Sequence, residues 1–220
     1  MNTFVLGEDG VYRCSAFQHF VWQEHGFGTR LGSPAALVTL RQIHSAMVWN
    51  AHSLVDRECE GDALITDDLR RCVGVRTADC VPILLLDEKR HAVAAVHAGW
   101  RGTVSRIVMR TIEKMALDFG TRPSDVHAAL GPCIRECCYE VGEEVAAQFE
   151  PLFPEWTVSP GKRHIDLPEA NRRNLRSAGV SDEHIFDSGL CTSCSSEQFF
   201  SYRREPQDPG RMLSSICRLG

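Results

Sequence analysis

The 220-residue sequence contains no apolar run of the 18 or more residues that a membrane-spanning helix requires. It lacks an export-like opening, because Glu8 and Asp9 stand where the apolar stretch of a signal peptide would continue, so a cytoplasmic protein is expected. Repeats, low-complexity tracts and Pro/Gly/Ser-rich linkers are missing too, and residues 1–220 read as one domain. There is no surplus of positive charge: 24 Lys+Arg against 29 Asp+Glu leave a net −5, which disfavours a nucleic-acid polymer as partner. With 43% apolar and 24% charged residues the chain has a globular balance. A chain of this length buries roughly 70% of its unfolded surface, so it needs neither disulfide nor metal merely to stay folded.

What the sequence does have is ten cysteines. In a reducing compartment they are expected to be thiols, and their commonest role is packing, followed by metal ligation and nucleophilic catalysis. Alternating or β-branched apolar runs predict strands at Ala36–Leu40, Ala46–Asn50, Asp62–Thr66, Cys72–Arg76, Val81–Leu86, Ala92–His97, Val126–Leu130, Phe199–Arg203 and Met212–Cys217. The run Val81–Leu86 is apolar throughout, as in a strand covered on both faces, and Pro82 belongs at its start or at an irregularity. Helices are predicted at Thr103–Phe119, stopped by Gly120, at Gly142–Phe149 and at Leu167–Ala178. Interleaved strands with few helices make this α/β or α+β with mixed sheets.

Three segments concentrate chemistry. His97-Ala-Gly-Trp-Arg-Gly102 is a strand-to-helix turn whose glycines allow close backbone approach. The helix start and Arg101 suit an anion, although a glycine turn with a surface arginine has the same spacing. Thr77-Ala-Asp79-Cys80 precedes the buried strand, and Gln42-Ile-His44 follows the strand at 36–40. His44, Cys80 and His97 could together hold a borderline cation with one position left open, as catalytic zinc sites do. On spacing alone, two ordinary polar histidines and a core cysteine are the more usual reading.

Cys191-Thr-Ser-Cys194 is the one local metal-type spacing. Its nearest partner group, Cys133…Cys137-Cys138, is poorly spaced for a zinc knuckle, so packing thiols are expected there, with a zinc knuckle or a redox pair as the alternatives. Cys14, Cys59, Cys72 and Cys217 are likewise assigned to packing. Phe199-Phe-Ser-Tyr-Arg203-Arg204 could frame a base and a phosphate, or be an edge strand with solvated arginines. His164-Ile-Asp166 falls on one face of a strand by alternation and decides nothing by itself.

Taken in order, several segments together resemble the bacterial YfiH/laccase-domain family. They are His25-Gly-Phe-Gly-Thr-Arg30, Gln42-Ile-His44, Gly61-Asp62-Ala-Leu-Ile-Thr66, Thr77-Ala-Asp-Cys-Val-Pro82, His97-Ala-Gly-Trp-Arg-Gly102, Gly131-Pro132, Tyr139-Glu-Val-Gly142, Cys191-Thr192, Phe200-Ser-Tyr-Arg-Arg204 and Gly210-Arg211. The resemblance runs from about His25 to Arg211. It implies two packed mixed β-sheets flanked by helices, a four-layer α/β/β/α arrangement similar to toxin-type cysteine hydrolases. It also implies one zinc per chain on His44, Cys80 and His97, and an enzyme that phosphorolyses adenosine, inosine and methylthioadenosine and deaminates adenosine. A trinuclear copper cluster needs many His-x-His pairs. This chain has nine histidines, none two apart, so copper on the single Cys-His₂ set, with incidental oxidase activity, is the most that label supports.

For the implied reactions, zinc would lower the pKa of a water to about 7 for attack at adenine C6. Asp79 is a candidate acid/base or, alternatively, a partner orienting a ligand histidine. Phosphate needs cations, with Arg101 first, then Arg30, Arg203 and Arg204. The expected partners are thus a nucleoside and phosphate, with the chain a monomer or small homo-oligomer. Two other classes share these residues: a metal-free amide hydrolase with Cys80 as nucleophile and His97 as base, editing a nucleotide-sugar peptidoglycan precursor, and a non-enzymatic metal- or nucleotide-binding module.

Overall fold

The computed structural model describes residues 3–36, 38–54, 59–156, 161–207 and 210–220. Thirteen strands are named in chain order among these residues. They begin with β1 (Phe4–Leu6), β2 (Tyr12–Cys14), β3 (Gln23–Phe27), β4 (Val48–Asn50), β5 (Ala63–Thr66), β6 (Cys72–Thr77) and β7 (Val81–Asp87). Then come β8 (Ala92–Ala98), β9 (Val126–Leu130), β10 (Glu140–Val141), β11 (Arg163–His164), β12 (Ile185–Asp187) and β13 (Met212–Arg218). The α-helices are α1 (Trp100–Val104), α2 (Ile107–Phe119), α3 (Glu143–Ala147) and α4 (Leu167–Ser177).

A six-stranded sheet in the order β12-β9-β7-β8-β5-β4 packs on a five-stranded sheet in the order β1-β2-β3-β13-β6, and β10 and β11 form a separate ribbon. The six-stranded sheet is mixed, with β12/β9 and β4/β5 parallel and the inner pairs antiparallel. The five-stranded sheet departs from expectation in being antiparallel throughout. Period-two alternation sets the layers. On β7, Ile83 and Leu85 face the helices while Leu84 and Leu86 face the other sheet; on β8, Ala94 and Val96 face the helices while Val93 and Ala95 face inward. Each buried aliphatic side chain contributes about 1.5–3 kcal/mol, and a one-residue slip would exchange the two sets, so the register is firmly fixed. Pro82 is the second residue of β7, near its start, and its carbonyl accepts from Gly131 N–H at 2.9 Å.

Buried residues of α2 and α4 and the packing residues of α1 and α3 belong to the cluster on one side of the six-stranded sheet. On the far side of the five-stranded sheet, extended chain packs at two glycines: Pro34 lies against Gly26 and Ala36 against Gly74. This is where a strand at 36–40 is expected. Instead Val38 makes a single bridge to Val73, and residue 37 lies outside the described residues. The helix expected at 103–119 is broken at Arg106, which takes a left-handed φ of 60° between α1 and α2. The break is satisfied from α4. Buried Asn174 donates to the Thr103 carbonyl at 3.0 Å, and buried Asn171 to the Thr103 hydroxyl at 2.9 Å. Gly120 ends α2 in the left-handed conformation, as predicted. Phe199–Arg203 is turn and irregular chain, not a strand. β1, β2, β3 and β12 had no reading as strands.

Cys72 and Cys217 face each other across β6 and β13 and form a disulfide, so the assignment of both to packing is corrected. No described helix is long and apolar enough to cross a membrane.

Candidate active site

The site starts from Asp62, the residue before β5, whose carboxylate is fully buried. It accepts from His97 Nδ1 at 2.7 Å, from Ser45 N–H at 2.6 Å and Oγ at 2.7 Å, and from His44 N–H at 3.0 Å. Burial alone would raise its pKa, but these donors and the His97 charge overcome it and hold the group at about 2. One carboxylate therefore fixes the His97 ring on β8 and the loop that carries His44. That loop is not the strand end expected, and His44 adopts a left-handed φ of 58°, a costly conformation that the Asp62 bonds sustain.

Cys80 stands between them, just before β7. Desolvation pushes the thiol up, yet hydrogen bonds and charge from His44 and His97 bring it down to about 6. Desolvation likewise opposes a charged His97, but Asp62 and Cys80 raise its pKa above the ordinary imidazole value. The donor atoms of His44, Cys80 and His97 all lie within 4.8 Å of one another. With Nδ1 of His97 engaged by Asp62, Nε2 is left for the site. Two imidazoles and a thiolate are a donor set that would suit zinc, and a carboxylate behind a ligand histidine is the usual second partner. Gly99 belongs to the same construction: a Cβ there would meet Cys80 Sγ and His44 Cδ2 at 3.0 Å each, so only glycine lets the turn pass.

The three residues line a cavity of about 710 Å³ whose other walls carry Trp100, Tyr139 and Tyr202, and four arginines, Arg76, Arg101, Arg203 and Arg211. Arg101 is exposed and lies 4.3 Å over the Trp100 ring. The helix behind it, α1, has only five residues, so the long helix start expected at this point is absent. Arg203 donates to the Glu140 carbonyl at 2.9 Å and faces Tyr139. Burial pushes the Tyr139 phenol up to about 12, so it stays protonated.

Three expected site residues are placed elsewhere or otherwise employed. Asp79 lines the cavity, but its carboxylate accepts from Thr192 Oγ1 at 2.6 Å, Ser201 Oγ at 3.1 Å and Arg203 N–H at 2.7 Å. At φ 89° it turns the chain into Cys80, and its carboxylate clasps the 192–203 segment. Arg30 is paired with Glu205 at 2.8 Å and packs on Phe200, outside the cavity lining. Arg204 donates to the carbonyls of Thr192, Ser193 and Phe199, again outside it. Asp62, Arg76, Tyr139 and Arg211 had no assigned role. For Asp62 the available signal was a carboxylate directly before an apolar strand, a position that demands several donors if buried.

The cysteines divide differently from expectation as well. Cys133 is core, but Cys137, Cys138, Cys191 and Cys194 bring their four sulfurs together. His164 and Asp166 also part company: the imidazole Nδ1 meets the Glu136 carbonyl, whereas Asp166 caps α4 through the Glu169 N–H at 2.9 Å.

Residues 23–219 match the family described as multi-copper polyphenol oxidoreductase laccase. A purine nucleoside phosphorylase from Deinococcus radiodurans is 44% identical over 179 residues, spanning 80% of this chain and 68% of that protein. An adenosine deaminase from an unknown prokaryotic organism is 40% identical over 83% of this chain and 75% of its own length. Among solved structures, YlmD from Geobacillus stearothermophilus covers both chains completely with a TM-score of 0.88 at 29% identity.

Proposed function

Because the chain belongs to the multi-copper polyphenol oxidoreductase laccase family, with relatives named purine nucleoside phosphorylase and adenosine deaminase, we propose that it is a zinc-dependent purine nucleoside enzyme. The reactions proposed are phosphorolysis of adenosine, inosine and methylthioadenosine to the base and the (methylthio)ribose-1-phosphate, and deamination of adenosine to inosine. The observation that carries this reading is the convergence of His44, Cys80 and His97 on a cavity rimmed by arginines. His44, Cys80 and His97 would hold the zinc, which when bound would supply Lewis-acid chemistry and lower the pKa of a water towards about 7.

The chain's own residues do the remainder. Asp62 holds His97 and the His44 loop in place, so the donor set is organised before anything binds. In phosphorolysis a phosphate oxygen bonds to C1′ as the C1′–N9 bond breaks, and the purine leaves with the electron pair and takes a proton. Arg101, with Arg76, Arg203 and Arg211 across the cavity, holds the phosphate charge. Trp100, Tyr139 and Tyr202 offer flat apolar faces to the base, and the Tyr139 phenol offers it an O–H donor. A single Cys-His₂ set gives copper only an incidental place.

The test is product analysis on adenosine, inosine and methylthioadenosine, with and without phosphate and with and without chelator. Phosphate-dependent release of free base, and hypoxanthine or inosine from adenosine, both lost on chelation, are expected. Absence of nucleoside turnover in zinc-replete protein would overturn the reading. One observation favours a second reading: Cys80, His97 and Asp62 are also arranged as a nucleophile, a base and its orienting carboxylate, with the thiol held near 6. Chelator-resistant hydrolysis of an amide on a nucleotide-sugar would select it.

A further inference from the structure

Cys137, Cys138, Cys191 and Cys194 belong to two loops that the catalytic reading leaves unused. Strands β9 and β12 are parallel neighbours, so the chain leaves both at the same end of the sheet. Their pairing continues beyond the strands: Ser188 N–H donates to Leu130 O at 3.0 Å, Cys133 N–H to Leu190 O at 3.2 Å and Thr192 N–H to Cys133 O at 2.9 Å. This register sets the 137–138 turn against the 191–194 turn. Cys137 Sγ lies 3.7 Å from each of Cys138, Cys191 and Cys194, and Cys138 lies 3.4 Å from Cys194.

Those separations decide among the readings. A disulfide needs sulfurs about 2.05 Å apart. Core packing does not fit either, because Cys137 and Cys194 are exposed, unlike the fully buried Cys133 nearby. Four sulfurs around one tetrahedral zinc, each bonded at about 2.3 Å, stand roughly 3.8 Å from one another. In a [4Fe–4S] cluster each cysteine holds a different iron atom, and in a [2Fe–2S] cluster only two share one, so the four sulfurs stand farther apart.

We propose that Cys137, Cys138, Cys191 and Cys194 form a closed tetrathiolate zinc site that staples the two loops behind the cavity. Binding exchanges S–H for Zn–S bonds, releases up to four protons to solvent and changes no oxidation state. The staple has a clear mechanical object. Between its ligands and β10 lies Tyr139, a cavity wall; Ile134 N–H donates to the Asp79 carbonyl at 2.9 Å; and Thr192, inside the 191–194 turn, donates to the Asp79 carboxylate. A closed set of four protein ligands leaves no position for water or substrate, so its role is structural.

The test uses the full chain purified under reducing conditions without added metal. Cys80→Ser/His97→Ala removes the other donor set, so zinc remaining in it reports on the thiols whatever the reaction proves to be. About one zinc per chain is expected to remain, and to disappear when Cys191→Ser/Cys194→Ser is added. Should that last variant not fold, cobalt exchanged into the Cys80→Ser/His97→Ala protein carries the test, with the visible bands and sulfur charge transfer of tetrahedral tetrathiolate cobalt expected. Absence of metal with all four thiols freely reactive, iron in place of zinc, or a disulfide joining any two of the four would overturn the proposal.

Discussion

Two donor clusters lie at the same end of this molecule, and they are built on opposite principles. The His44/Cys80/His97 set draws its members from distant parts of the chain and rests on a buried carboxylate, Asp62, that arranges two of them. The four-thiol set rests on two turns paired by the sheet register and uses no carboxylate. The first has three donors and opens into a cavity; the second is complete in itself. An incomplete set with an acid behind it can exchange a ligand for substrate, whereas a complete one can only hold chain together. The same contrast separates two buried histidines. Asp62, together with Cys80, raises the pKa of His97 against its burial, whereas His25, between Gln23 and the Cys14 N–H, has no carboxylate and is pushed down to about 4, chiefly by burial.

The largest break in this comparison comes from removing a donor on the open side. Cys80→Ala or His97→Ala is expected to lower turnover by about 10³-fold or more and to lose one metal per chain, with melting temperature little changed. Metal analysis beside steady-state assays checks this. A variant that kept both metal and rate would remove the site from the protein.

The pair of histidines gives the next effect. A base whose folded pKa is depressed contributes stability that is complete above its unfolded value, near 6.5, and is lost as pH falls towards 4. The loss amounts to about 3 kcal/mol, shared with whatever carboxylates titrate nearby. Urea midpoints between pH 7 and 4 should fall, and His25→Gln should flatten that slope. An unchanged slope would mean that His25 is charged in the folded protein.

Asp62→Asn sharpens the claim that the carboxylate organises the open set. Loss of about 10–100-fold in metal affinity is expected, measured by competition with a chelating dye. The thiol set should keep its metal in this variant, since no contact joins it to Asp62. The smallest effect concerns the anion. Arg101→Ala should raise the apparent KM for phosphate about tenfold, roughly 1.4 kcal/mol, and leave that for the nucleoside nearly unchanged. Equal changes in both would point to damage at the Trp100 turn.

Much of this arrangement is legible in the sequence where short-range rules operate. The apolar run at 81–86 reads as a strand buried on both faces, and Gly120 reads as a helix stop; both hold. The convergence of His44, Cys80 and His97 was not legible from spacing, because strand order, not separation along the chain, brings them together; the family resemblance supplied it. The misreadings have a common cause. Arg30 and Arg204 look like ligand arginines because they adjoin aromatic residues, yet each finds carboxylate or carbonyl partners within the fold. Asp79 adjoins a ligand in sequence while its carboxylate is turned to Thr192 and Ser201 by a left-handed backbone. The α1–α2 break depends on Asn171 and Asn174, which no local rule connects to Thr103.

The place of β13 in its sheet also orders events in time. It lies between β3 and β6, hydrogen-bonded to both, although it is the last of the five strands to leave the ribosome. Until it emerges, β3 and β6 have no strand between them. The inner strands of the six-stranded sheet pair antiparallel with near neighbours and can assemble while synthesis continues. Without β13 in place, the inward face of the six-stranded sheet, Leu84, Leu86 and Val93 among it, lacks the Met212 and Ile216 side chains that pack in the same cluster.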